Sequence, residues 1–275
     1  MLSVNTNTAS LNAQRNLGLS ANSLQKSMQR LSSGLRINSA ADDAAGLAIS
    51  EGMKANIRSL NQATRNTNDG ISLAQVAEGA LNEVSNILVR MRELSTQAAT
   101  GTVNSAQRGY INNEFGQLAQ EITRIASATA FNGIHMLAAA TTTDIQVGTG
   151  AEAYDTISIS TATMTATALL GSAVVTAGIA SATTAIAMQG LVDTALDAVS
   201  QQRAKLGAVQ NRFTSVMNNL QVTSENTSAA QSRIADADIA AETANLTRAQ
   251  ILNQAGISIL SQANQSPQAA LKLLG

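Results

Sequence analysis

Apolar residues in this chain recur at alternating intervals of four and three, and they do so in separate runs toward both ends. The first run is Leu17, Ala21, Leu24, Met28, Leu31 and Leu35. Two more follow, Ala80, Val84, Ile87, Met91, Leu94 and Ala98, then Ile111, Phe115, Leu118, Ile122, Ile125 and Thr129. In the second half Val199, Gln202, Leu206, Val209, Phe213, Val216 and Leu220 keep the same rhythm. That rhythm places the apolar side chains on one narrow face of a helix, the seam of a coiled coil. Such a chain folds as long helices zipped together, with little thickness between them.

Composition supports thin seams. Of the 275 residues 44% are apolar but only 2% aromatic, with no Trp. Large aromatic side chains carry much of the buried area of a compact core, whereas Ala and aliphatic residues let helix backbones approach closely. The single proline, Pro267, leaves long helices uninterrupted. The expected fold class is therefore mainly α: long antiparallel coiled-coil helices from both chain ends in an elongated bundle, with a small β-hairpin in the middle.

Several function classes drop out. With no Cys there are no disulfides or thiolate metal sites. His135 is the sole His, too few for an H-E-x-x-H zinc site. Seventeen basic and 18 acidic residues lie scattered along the chain, which provides no footprint for nucleic acid or an anionic membrane. No stretch approaches the roughly 20 consecutive apolar residues that span a bilayer. Adjacent Asp42 and Asp43 point to different sides of a helix, so they read as a helix N-terminus and not as a carboxylate pair for acid/base work. No cofactor is expected. The start, Met1 to Asn7, lacks the basic and apolar regions of a cleavable signal. An extracellular destination therefore requires export without cleavage.

Gly34 and the polar residues after it read as a helix stop, with Ser39 or Asp42 as the next N-cap. A further helix is expected from Ala44 to Asn66, and Asn68-Asp69-Gly70 reads as a turn. Gly101 to Ser105 breaks the next helix. Ile145 and Val147, with Ile157 and Ile159 beyond Gly148-Thr149-Gly150, predict a hairpin over about 144–160. Residues 161–187 form a short Ala/Thr-rich insert. A long helix is expected over about 190–228, and a last one after Ser232 carries Ile251, Leu252, Ala255, Ile259, Leu260 and Ala263. That stripe is wider than a two-partner seam, so it predicts more than one neighbour. With helices at both ends and the irregular part in the middle, the ends are expected to pair. They hold too few bulky residues to be stable alone, and are expected to be loose in the free chain and ordered in an assembly.

Several blocks closely resemble bacterial flagellins: Leu31 to Asn38, Asp42 to Ile49, Asn68 to Ser72, Glu78 to Leu81, Met91 to Leu94, Phe131-Asn132-Gly133, Gly207 to Arg212 and Leu252 to Ala255. They occur in family order and leave only 161–187 unmatched. The resemblance implies a structural, non-enzymatic subunit, exported unfolded by the flagellar type III apparatus, that polymerises outside the cell into the swimming filament. It also implies an inner-core domain of residues 1–43 with 233–275, disordered in the monomer, and an outer tubular domain of residues 44–232. The implied partners are further copies of the chain, an export chaperone, the filament cap, the hook-filament junction protein and host flagellin receptors. With so short an insert, the filament is expected to be thin and smooth.

The candidate assembly seam comprises Leu17, Leu24, Met28, Leu31 and Leu35 with Ile251, Leu252, Ala255, Ile259 and Leu260. Arg90, Leu94 and Glu114 match positions by which flagellins resemble one another at the Toll-like receptor surface. Leu271, Leu273 and Leu274 resemble the cluster read by inflammasome sensors. An adhesin on the same scaffold would need a sticky insert, and 161–187 lacks the aromatic and Arg anchors of binding hot spots. A junction subunit sharing the terminal helices is the nearer alternative. The dense match across both ends favours the filament subunit.

Overall fold

The computed structural model describes residues 6–172 and 178–272, with side chains as far as 265. Its helices are α1 (Thr8–Ser33), α2 (Ala44–Ala99), α3 (Ser105–Ala128), the short α4 (Ala166–Leu170), α5 (Ala182–Ala235) and α6 (Ile239–Lys272). Its strands are β1 (Ala130–Phe131), β2 (Ile134–His135), β3 (Thr141–Gln146) and β4 (Thr156–Thr161). The long helices pack antiparallel, α1 with α6 and α2 with α5, so the fold is mainly α as expected.

Local chemistry sets most boundaries. The Asn7 side chain accepts from Ser10 N at the start of α1, and Gly34 closes it with φ 72, a left-handed conformation that suits glycine. Asn104 and Gln107 form a reciprocal capping box on α3. At α2 the cap is neither Ser39 nor Asp42. Asp43, the residue directly before the helix, accepts the Gly46 amide on Oδ1 while its carbonyl accepts the Leu47 amide, and Asp42 instead holds Lys26 and the amide of Asn38.

The expected turn at Asn68-Asp69-Gly70 is corrected: α2 runs through it without a break. The Asn68 amide hydrogen-bonds back to Thr64 O inside the helix. Gly70 is required for a different reason, since a Cβ built there would stand 2.9 Å from Phe213 Cζ on α5. Glycine costs a helix about 1 kcal/mol relative to Ala, and here it makes room for a buried aromatic ring. α5 likewise begins earlier and ends later than expected. Asn132-Gly133, with φ 49 and 80, turns a second tiny hairpin between β1 and β2 that the sequence reading passed over.

The chain divides into two compact units, one of residues up to Ile57 and from Glu225, the other Arg58–Ser224. Both divisions fall inside the continuous helices α2 and α5 and not at connectors. In the second unit Leu81, Leu88 and Met91 of α2, Phe115 and Ile122 of α3 and Phe213 of α5 are fully buried. The β3–β4 hairpin joins this core. It pairs Ile145 with Ile157, as the alternating pattern predicts, and turns Ile157 and Ile159 inward. Gln202, a polar residue on the α5 seam, is buried because its amide donates to Ser160 O of β4.

Candidate assembly surface

In the first unit α1 lies along α6. Besides Arg30, the covered residues of α1 are Ser10, Ala13, Leu17, Ser20, Leu24, Ser27 and Leu31, and those of α6 are Glu242, Leu246, Ala249, Asn253, Gly256, Leu260 and Ala263. Both series alternate by three and four, and in both the positions between leucines are mostly small. At Gly256 a Cβ would stand 3.2 Å from Leu17 Cδ1, so the two backbones are close there. Polar contacts mark both ends of the pair. Asn7 donates to Ala263 O and Ser10 to Asn264 Oδ1. At the other end the Ser27 hydroxyl donates to Glu242 Oε1, and Arg30 Nη1 lies 3.6 Å from Glu242 Oε2.

Of the expected seam, Leu17, Leu24, Leu31 and Leu260 turn into this pair. Met28, Leu35, Ile251, Leu252, Ala255 and Ile259 do not, and remain exposed. Ile257 of α6 and Leu11 and Leu19 of α1 add to the exposed apolar surface. The apolar stripe of α6 is too wide for one partner helix to cover. Beside the pair a groove of about 450 Å³ is lined by Leu19, Ser23, Lys26, Arg30, Arg248 and Leu252, among others. Ser27 and Glu242 were missed as seam residues because a search for apolar period ignores polar side chains, although Ser27 stands three residues after Leu24.

The connector from α1 to α2 is held by charge. Lys26 Nζ sits 2.7 Å from Asp42 Oδ1. This hydrogen bond first, then the Asn38 amide, lowers the Asp42 carboxyl from 3.8 to about 2. A carboxylate whose folded value is depressed stabilises fully above its unfolded value and loses that contribution as pH falls toward the folded one. The connector is therefore expected to loosen between pH 3.8 and about 2. The protection factors of the Asn38 and Ser39 amides, which remove the intrinsic pH dependence of exchange, should fall across that window in the parent and stay flat in Asp42→Asn; equal profiles would contradict this account.

Arg90 on α2 bonds Glu93 and reaches Glu114 on α3 at 2.8 Å, and both contacts raise its pKa. Arg90 and Glu114 are about half exposed and are accessible to a partner. Leu94 is 1% exposed, so it belongs to the core and not to a surface with them. It occupies an inward seam position of α2. Leu271, Leu273 and Leu274 lie outside the residues whose side chains are described.

Among the described residues no group of three His, Cys, Asp or Glu side chains is placed to hold a metal, and no helix is long and apolar enough to cross a membrane. Paired terminal helices with uncovered apolar stripes define a class of chain that acts by packing against other chains. Residues 4–142 match the family model described as bacterial flagellin N-terminal helical region, and residues 189–274 the one described as bacterial flagellin C-terminal helical region. The chain belongs to the bacterial flagellin family. It is 47% identical to a flagellin of Halalkalibacterium halodurans over 98% of this chain and 99% of that one. It is 43% identical to the flagellar filament 33 kDa core protein of Treponema phagedenis and 43% to a flagellin of Bacillus subtilis, with the same coverage in both. Among solved structures, Bacillus cereus flagellin aligns with a TM-score of 0.50 and 32% identity over 57% of this chain and 88% of that one.

Proposed function

We propose that α1 and α6 are the elements through which this flagellin polymerises. The chain is a structural subunit of the extracellular flagellar filament and not an enzyme. The observation that carries the role of the terminal helices is their uncovered apolar surface. Ile251, Leu252, Ile257 and Ile259 are each at least half exposed on α6, as are Leu11, Leu19 and Met28 on α1. Surface of this kind on an ordered chain marks an interaction site, and further copies of the chain are the occupants that flagellin membership supports. Residues 1–43 with 233–275 form the inner-core part of the subunit in this reading, and 44–232 the outer part.

Finer steps follow from the same chemistry. The α1–α6 seam alternates leucine with serine, alanine and glycine, so it buries little apolar area to offset ordering at ~1 to 2 kcal/mol per residue. Loosely held ends suit export through the flagellar type III apparatus as an unfolded chain. An export chaperone would cover the apolar stripe of α6 until then. The filament cap and hook-filament junction protein would receive the same helices, and Arg90 with Glu114 offers a charged surface to a host receptor.

Hydrogen exchange tests the reading. In the isolated chain the amides of α1 and α6 are expected to exchange far faster than those of α2 between Leu73 and Ala98, and in the polymer to become protected. Termini as protected in the isolated chain as the core of the second unit would contradict it.

A further inference from the structure

Asparagine is followed by Gly or Ser at four places in the chain: Asn22-Ser23, Asn38-Ser39, Asn104-Ser105 and Asn132-Gly133. In such a pair the backbone nitrogen of the second residue can attack the side-chain carbonyl carbon of the first, and glycine, with no Cβ, hinders the approach least. The reaction then depends on how free both groups are.

At three of the four places the fold ties at least one of them down. Asn22 and Ser23 lie inside α1, where the helical ladder engages the Ser23 amide. The Ser39 amide donates to Asp42 Oδ2, and the Asn38 side-chain amide donates to Ser33 Oγ. Asn104 Oδ1 accepts the Gln107 amide as the N-cap of α3. Asn132-Gly133 is different. It forms the turn between β1 and β2 and is exposed, and among the described residues neither the Asn132 side chain nor the Gly133 amide makes a hydrogen bond. Ring closure swings the Gly133 peptide toward the Asn132 side chain, and a ladder of two residues per strand resists this little.

We propose that Asn132 is a deamidation site, where the chain converts a side-chain amide to a carboxylate without an enzyme. The Gly133 nitrogen gives up its proton and forms a bond to Asn132 Cγ, the Cγ–Nδ2 bond breaks, and ammonia leaves carrying that proton. Solvent water then opens the succinimide at either carbonyl, leaving aspartate or isoaspartate. Either product adds a negative charge to the turn. In isoaspartate the backbone also runs through the former side chain, one atom longer, in a two-residue turn that leads directly to buried Met136 and Leu137. The pairing of Ala130 with His135 and of Phe131 with Ile134 is expected to break in that form. The reaction belongs to the single chain and is independent of assembly.

The test holds the folded chain, and the chain in denaturant, at the same mildly alkaline pH. Each asparagine is followed by mass spectrometry of its peptide, and isoaspartyl methyltransferase labels the isomerised product. Folding is expected to slow Asn38 and Asn104 by about a hundredfold or more, the loss expected for a reacting pair held out of line, and Asn132 by less than about tenfold. Asn132→Gly keeps a residue suited to positive φ in the turn, so it should show a parent-like melting transition and no conversion at this position. Asn132 slowed by folding as much as Asn38 and Asn104, or an unchanged mass at Asn132 in the folded chain while they convert, would overturn the proposal.

Discussion

Phe213→Ala is expected to lower the stability of the second unit by about 3 to 5 kcal/mol, the range for truncating a buried aromatic. Phe213 is fully buried on α5 and packs over Gly70 of α2. For a unit of this size that corresponds to a drop in melting temperature of about 6 to 20 °C. The companion substitution has a sign that depends on the ring. Gly70→Ala in the parent places a methyl 2.9 Å from Phe213 Cζ and should destabilise. In the Phe213→Ala background the ring contacts are gone and only Ile145 Cγ1, at 3.3 Å, has to give way, so the same methyl should cost much less than in the parent or be neutral, the gain in helix propensity of up to about 1 kcal/mol offsetting that contact. Circular dichroism melting of the four proteins closes the cycle. Additive effects would mean that Gly70 is not there for the ring.

The Gly70 case also marks a limit of reading this fold from sequence. Asn-Asp-Gly is a strong local turn signal, and the residue that overrides it is Phe213, far along the chain. A local pattern cannot register a partner at that distance. By contrast the α5 seam was fully legible. Val199, Gln202, Leu206, Phe213 and Leu220 all face inward, because a helix packed on one side imposes its period directly on the sequence. The β3–β4 hairpin was legible for the corresponding reason, a period of two across glycines.

The terminal helices were half legible. Leu17, Leu24 and Leu31 mark the face of α1 that meets α6, but the intervening covered positions are Ser20 and Ser27, where the apolar pattern points instead to the exposed Ala21 and Met28. A seam that alternates leucine with small polar residues carries only half its signal in hydropathy. On α6 the wide stripe is there as the pattern indicates, with Ile251, Leu252 and Ile259 left uncovered by α1, while the carboxylate of Glu242 carries no apolar signal. Leu94 carries two readings in the sequence, a place in the α2 seam and a place beside Arg90 and Glu114, and its burial favours the seam.

The account stands on the terminal helix pair being the element of assembly, and seeded polymerisation of Leu24→Asp tests this most directly. Leu24 is half-buried where α1 meets α6, in the first unit, and is not among the buried core residues of the second. An aspartate there must stay charged among apolar groups or take up a proton, a cost of several kcal/mol, and a polymer repeats that cost at every subunit. The expected result is a parent-like melting transition for the second unit by circular dichroism and no growth of filament seeds by electron microscopy. Normal filaments from Leu24→Asp would show that α1 is not the assembly element and would contradict the account.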